Sequence, residues 1–234
     1  MPSCHSTNDV ALKYVDQPDS SEGLIVITDE QTAGKGQRGN QWEAHPGDNL
    51  TFSLVLKPRF LLARRQFYLS MITALAVSRT LNGLLSANVK VKWPNDVLVD
   101  GKKVAGILIE SAIQKTYMEH VVIGIGLNVN QEKFKFQSAT SLKKVAGKNF
   151  HLVAVFEQLI ANLEYYYLQL RNGRENELKQ AYLSQLFGYK ELRSYRAEFE
   201  FKGVIEDVSE SGHLMISSGG RAKAYDLKEI EFIY

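Results

Sequence analysis

Three strand-like runs, a proline corner and a hairpin tip follow one another between residues 89 and 111. This pattern constrains the fold more than any other in the chain. Val89 to Trp93, Asp96 to Val99 and Val104 to Ser111 are short apolar runs rich in β-branched residues. Pro94 has no N–H for a sheet ladder and biases Trp93 toward an extended conformation. Asp100-Gly101 between apolar runs signals a two-residue hairpin. Asn95 and Asp96 follow the corner, and Lys102 and Lys103 follow the tip. A carboxylate, an amide and an ammonium are thus brought together at the end of a sheet. Packing has little use for that combination, and it suits an anionic small molecule.

The surrounding pattern is α+β. Leu24 to Thr28, Leu50 to Leu56 and His120 to Asn130 read as further strands. Val10 to Val15, Arg64 to Leu85, Phe150 to Leu170 and Glu175 to Phe187 carry helical spacing, with Gly188 as a stop. Tyr165 to Tyr167 continue the apolar stripe of the third of these helices. The expectation is a mixed or antiparallel central sheet flanked by helices. From Arg196 onward only short alternating segments remain, separated by turns at Ser211-Gly212 and Gly219-Gly220. They predict a small β-barrel-like unit, giving domains 1–189 and 190–234. A unit of roughly forty residues is near the lower limit of independent stability, so it should pack on the larger part.

Bulk properties exclude several classes. The chain has 234 residues, and its formal net charge of +2 is too small for a dedicated nucleic-acid binder. One cysteine, Cys4, excludes an internal disulfide and points to a reducing cytoplasm. Cys4-His5 has no second pair to complete a metal site, so no metal ligands are expected. The five histidines form neither a nucleophile triad nor an H-E-x-x-H zinc motif. No apolar run is long enough to span a membrane.

Three further motifs carry chemistry. The segment Gln31 to Trp42 holds glycines at 34, 36 and 39 with Lys35 and Arg38 between them. It reads as a mobile loop whose exposed N–H groups and cations attract an anion such as phosphate. It lacks the Gly-Lys-Ser/Thr ending of a Walker loop. Gly124-Ile125-Gly126-Leu127-Asn128-Val129 has valine where a dinucleotide fingerprint needs a third glycine. Its glycines instead let a ligand or a strand approach the sheet edge, with Asn128 as a candidate polar contact. Ser6-Thr7-Asn8-Asp9 suits a helix N-cap and also supplies hydroxyl and amide groups to a small polar ligand.

Taken in order, Ser6-Thr7-Asn8, the Gln31–Trp42 loop, Lys92-Trp93-Pro94-Asn95-Asp96, Lys103-Val104-Ala105-Gly106-Ile107-Leu108 and Gly124 to Val129 resemble the biotin protein ligase family. The resemblance implies a class II synthetase-like biotin/lipoate ligase fold with an SH3-like C-terminal domain. It is to the monofunctional type, which has no N-terminal DNA-binding domain. It implies biotin and MgATP as substrates, biotinyl-5′-AMP as intermediate, and a lysine of a biotin carboxyl carrier protein as acceptor. It implies a cytoplasmic monomer or homodimer that touches neither DNA nor membrane. Ser6, Thr7, Asn8, Gln31, Gly34, Lys35, Lys103 and Gly106 are then biotin-binding candidates. Gly36, Gln37, Arg38, Gly39, Trp42, Asn95 and Asn128 are adenylate-binding candidates. Lys103, Asp96, Lys35 and Arg38 are the catalytic candidates, with Lys103 bridging the biotin carboxylate and the α-phosphate. A lipoate–protein ligase, a lipoyl or octanoyl transferase, and a non-catalytic biotin-binding regulator are the alternatives.

The chain departs from the family's G-R-G-R-x-G-R loop. Lys35, Gln37 and Asn40 stand where that pattern has arginine. Lysine keeps charge without arginine's bidentate fork, and the other two lose charge altogether. Pre-formed biotinyl-AMP should therefore dissociate faster from this chain than from an arginine-rich relative. Equal or slower dissociation would contradict that expectation.

Overall fold

The apolar runs of the first 130 residues pair into one six-stranded antiparallel sheet. The computed structural model describes all residues except Asp16, Pro18, Asp19, Lys115 and Tyr234, together with all side chains except those and Arg38 and Gln114. The first half contains β1 (Ser3–Cys4), α1 (Thr7–Val15), β2 (Ile25–Thr28), β3 (Glu30–Gln31), β4 (Leu50–Leu56), α2 (Phe67–Leu84), β5 (Val89–Lys92), β6 (Asp96–Val99), β7 (Lys102–Gln114) and β8 (Tyr117–Leu127). Then come α3 (Leu142–Ala146), α4 (Leu152–Arg171) and α5 (Glu175–Gln185), followed by β9 (Leu192–Arg196), β10 (Glu200–Val208), β11 (Leu214–Ser218), β12 (Arg221–Tyr225) and β13 (Glu231–Ile233). The large sheet runs β2-β4-β8-β7-β6-β5. The tip between β6 and β7 has positive φ at both Asp100 (49°) and Gly101 (77°), as a tight hairpin requires.

Side-chain alternation gives this sheet two unlike faces. Leu50, Phe52 and Leu56 of β4, with Ile107 of β7 and Val121, Ile123, Ile125 and Leu127 of β8, join the main core. Helices α2 and α4 cover that face; Phe156 of α4 meets Phe52 edge-on, with ring centroids 5.2 Å apart. On the opposite face Val55 and Val122 pack with Ala11 and Val15 of α1 and with Val26. The remaining positions of that parity are Thr51 and Ser53 on β4, Gly124 and Gly126 on β8, and Gly106, Leu108 and Glu110 on β7. Small and polar residues at these places leave an open floor where an aliphatic strand would have filled it.

The second sheet is antiparallel, five-stranded and open, in the order β12-β11-β10-β9-β13. Among the described residues no pairing joins β12 to β13 into a barrel. Tyr195, Ile205, Val208, Leu214, Ile216 and Tyr225 are continuous with the main core, so this sheet does pack on the larger part. Three polar ties reinforce the junction. Trp93 Nε1 donates to Gly212 O at 2.8 Å. Arg65, which also pairs with Glu175 of α5, reaches Glu210 at 3.2 Å. Lys179 lies 2.8 Å from Asp207.

Several local expectations change. The segment expected to be a mobile loop is tied at both ends and within. Thr32 N donates to Cys4 O and Ala33 N to His5 O, while Trp42 N donates to Gly34 O and Gly36 N to Asn40 O. A short 3-10 turn, Gln37–Gly39, forms its tip. Helix α1 begins at Thr7, and its first N–H is met by Gln31 Oε1 from another segment at 2.7 Å. Tyr165 leaves the apolar stripe: it is exposed and stacks with Arg79, whose guanidinium carbon is 4.7 Å from the ring centre.

Tyr182 is fully buried, its hydroxyl has no hydrogen-bond partner among the described residues, and burial pushes its phenol far above the ordinary range. Removing an unsatisfied buried hydroxyl while keeping the ring relieves a desolvation cost. Tyr182→Phe should leave stability unchanged or raise it by about 1 kcal/mol, read from the denaturant midpoint. A loss of that size would show that the hydroxyl has a partner.

Candidate functional site

On the open face of the large sheet lies a cavity of about 450 Å³. Its floor is set by strand register. Thr51 pairs with Gly126, Gly126 with Gly106, and Gly106 with Asp96, making one row across four strands. The next row is Ser53, Gly124 and Leu108. A Cβ added at Gly126 would lie 2.2 Å from Trp42 Cε2, and one at Gly106 3.0 Å from Trp42 Cζ3. A Cβ at Gly124 would lie 2.3 Å from Asn8 Oδ1. The glycines are thus explained by two side chains that settle onto the sheet: the indole of Trp42 and the amide of Asn8.

Lys103 closes one end of the first row. Its Nζ is 2.6 Å from Asp96 Oδ1 and 5.7 Å from the centre of the Trp42 ring. Its backbone is pinned on both sides, because Lys103 N donates to Ser138 O and Thr140 N donates to Lys103 O. Asn128 braces this pin: its Nδ2 donates to Thr140 O at 3.0 Å and its N–H to Val104 O. Asn95 is committed similarly, its Nδ2 donating to Ile107 O at 2.8 Å. The Trp93–Pro94 peptide is cis, and the Trp93 ring is buried against the second sheet. The W-P-N-D corner therefore divides its work. Trp93 anchors, Asn95 fixes the corner to β7, and Asp96 meets the lysine.

The other end of the cavity is a polar wall. Thr7, Asn8 and Ser53 are buried and hydrogen-bonded to one another and to Gln31. Lys35 forms an ion pair with Asp9; that hydrogen bond holds its ammonium above the ordinary lysine range, with Glu110 adding attraction. The rim includes Gln37 and Asn40 of the loop and Leu227, Lys228, Ile230 and Glu231 of the second sheet. A recess of about 430 Å³ lies behind the loop, between Gly34, Gly39 and Glu110.

Ser6, Thr7, Asn8, Gln31, Lys35, Gly36, Gln37, Trp42, Asn95, Asp96, Lys103 and Gly106 are thus gathered around one cavity. Gly34 and Gly39 line the recess instead. Gly34 has a packing reason as well, since a Cβ there would lie 2.6 Å from Trp42 O. Asn128 is buried behind the cavity and does not line it. The Arg38 side chain lies outside the described residues. Sequence reasoning missed Ser53, Glu110 and the rim of the second sheet. The parity of Ser53 within β4, and of Glu110 two steps beyond Gly106 and Leu108, was the available signal.

Comparisons with known proteins place the chain among relatives of one family. Residues 1–128 match the biotin/lipoate A/B protein ligase family. A biotin--[acetyl-CoA-carboxylase] ligase of Paracoccus denitrificans is 32% identical over 238 residues, covering 97% of each chain. A bifunctional ligase/repressor of Bacillus subtilis is 29% identical over 216 residues, which are 90% of this chain and 66% of that relative's length. A biotin protein ligase from Aquifex aeolicus, solved in complex with biotin and ATP, superposes with a TM-score of 0.81 at 25% identity, covering 99% of this chain and 96% of that one.

Gly126→Ala should force the Trp42 indole off the floor, because backbone below leaves no room for both. Trp93 is buried, so the exposed part of the emission reports Trp42. A red shift and stronger acrylamide quenching are expected, with the fold retained. An unchanged spectrum would mean that the indole does not rest on this glycine.

Proposed function

This chain belongs to the biotin/lipoate A/B protein ligase family, and from that premise we propose that it is a biotin–protein ligase. It activates biotin with MgATP to biotinyl-5′-AMP and pyrophosphate. It then passes the biotinyl group to a lysine of a biotin carboxyl carrier domain, releasing AMP. The observation that carries this reading is the placement of Lys103 beside Asp96 at one end of a glycine-floored trough, with Thr7 and Gln31 at the other. A rigid bicycle with a carboxylate tail fits a site with a polar recognition end and a cationic reaction end.

The first step brings a carboxylate to the α-phosphorus of a polyanion, so like charges must be offset. Lys103 reaches both the biotin carboxylate and an α-phosphate oxygen, and stabilises charge as it develops on the transferring group. Lys35, on the loop that bounds the cavity, meets the phosphates and shields the mixed anhydride from water, and Arg38 is the second cation that the family resemblance assigns to this task. Trp42, Gly36, Gln37 and Asn95 border the adenylate, and Asn128 acts by bracing the segment that pins Lys103. Alignment of the two substrates supplies about 7–11 kcal/mol of barrier lowering. Asp96, freed from Lys103 as substrates enter, orients the incoming acceptor lysine or would help to hold the Mg²⁺ that accompanies the nucleotide. The enzyme works in the cytoplasm as a monomer or homodimer.

Incubation with biotin, ATP and a carrier domain should add one biotinyl mass to a carrier lysine, and omission of either small molecule should prevent it. Labelling by lipoate in place of biotin would favour the lipoate ligases, and biotin binding without pyrophosphate release would favour a regulator. Lys103→Ala should retain the fold and lower pyrophosphate release by at least about a hundredfold, the scale of a lost charge-stabilising group. Wild-type turnover would remove Lys103 from the mechanism.

A further inference from the structure

Glu110 does not line the main cavity, yet it heads a chain of polar groups that ends there. Asn8 Nδ2 donates to Glu110 Oε2 at 2.7 Å. An ionised carboxylate only accepts, so the Asn8 amide has one orientation, nitrogen toward Glu110 and oxygen toward Ser53. Gly124 beneath it lets the amide lie flat on the sheet. Ser53 Oγ is 2.5 Å from Asn8 Oδ1 and 2.7 Å from Thr7 Oγ1. A hydroxyl has one proton, and Asn8 Oδ1 can only accept, so Ser53 donates to Asn8. The Thr7 proton then goes to a protein acceptor as well, Gln31 Oε1 at 3.1 Å or the Ser53 oxygen. Thr7 Oγ1 therefore meets the cavity with lone pairs only. Gln31 Oε1 is fixed as an acceptor by the main-chain N–H of Thr7 at 2.7 Å, leaving its Nε2 as the end to offer. The wall presents an acceptor and a donor side by side.

We infer that Glu110 is a specificity-determining positioning residue, which sets the donor–acceptor order of this wall to match the adjacent N–H and C=O of a cyclic urea. The inference rests on the reading that the cavity takes biotin. Its physical basis is asymmetry. Every group between Glu110 and the ligand can either donate or accept, except the carboxylate at the head. Neutralising that one residue by an amide lets Asn8 turn over, and the donor–acceptor order of Asn8, Ser53 and Thr7 is no longer fixed, while Gln31 stays held by the Thr7 main chain. Buried polar networks of this kind are strong when every member is satisfied and costly when one is reversed.

The test compares biotin with 2-iminobiotin in its guanidinium form, which carries N–H donors where biotin has the carbonyl oxygen. Dissociation constants are measured by calorimetry for wild type, Glu110→Gln, Asn8→Asp and the Asn8→Asp/Glu110→Gln double variant, with melting temperatures as a check on folding. Wild type should favour biotin, and Glu110→Gln should reduce that preference by about tenfold, the scale of one reversed hydrogen bond. Asn8→Asp sets two carboxylates against each other and should weaken both ligands. The double variant exchanges carboxylate and amide, so Ser53 again meets a group that only accepts. It should return the preference to within about threefold of wild type, a non-additivity expected of groups in contact. The proposal is overturned if Glu110→Gln keeps the wild-type preference. It is also overturned if that variant weakens both ligands equally and the double variant does not rescue it, since that is the behaviour of a merely structural residue. If wild type binds no biotin, the functional reading itself fails.

Discussion

Gly106 and Gly126 face each other across neighbouring strands, and the space above them is what the site is built around. The same strands carry aliphatic residues on their other face, where they form the main core. Alternation along a strand lets one stretch of chain serve both purposes, since successive side chains point to opposite sides. A shift of register by one residue would bury the glycine face and expose the aliphatic one. The hydrophobic effect that holds α2 and α4 to the sheet therefore also fixes the floor of the cavity. Trp42 and Lys103 can only be placed as they are because that floor has no side chains.

The W-P-N-D corner shows how the second sheet enters the account. Trp93 hydrogen-bonds to Gly212 in the turn before β11, and Lys92 lies 5.4 Å from the Phe232 ring of β13. Phe67, at the start of α2, packs where a Cβ on Gly212 would sit. The corner is held between two parts of the second sheet, and Asp96 follows directly from it. The rim residues Leu227, Lys228, Ile230 and Glu231 come from the same sheet. Motion of this sheet would thus be felt both at the rim and at the Asp96–Lys103 pair.

Much of this was legible in the sequence. The short apolar runs placed the strands, Asp100-Gly101 placed the tip, and Lys103 lies beside Asp96 as that hairpin was expected to bring it. These signals are local, set by propensity, parity and turn chemistry within a dozen residues. What the sequence did not disclose depends on distant partners. Trp93 was read only as an extended residue before Pro94, because its partner, Gly212, is 119 residues away. Gln31 was read as a ligand contact alone, although its oxygen also meets the first N–H of α1. The loop was expected to be mobile because its glycines were visible, whereas the backbone bonds that tie it run to residues 4 and 5. Glu110 reads as an ordinary strand carboxylate until Asn8 is placed against it.

The proposed reaction requires Lys103 to leave Asp96 and join two anions. A structure with biotin and a non-hydrolysable ATP analogue both bound measures this directly. The Lys103 amine should lie within about 3.2 Å of a biotin carboxylate oxygen and of an α-phosphate oxygen. An amine still seated on Asp96, with neither anion in reach, would contradict it.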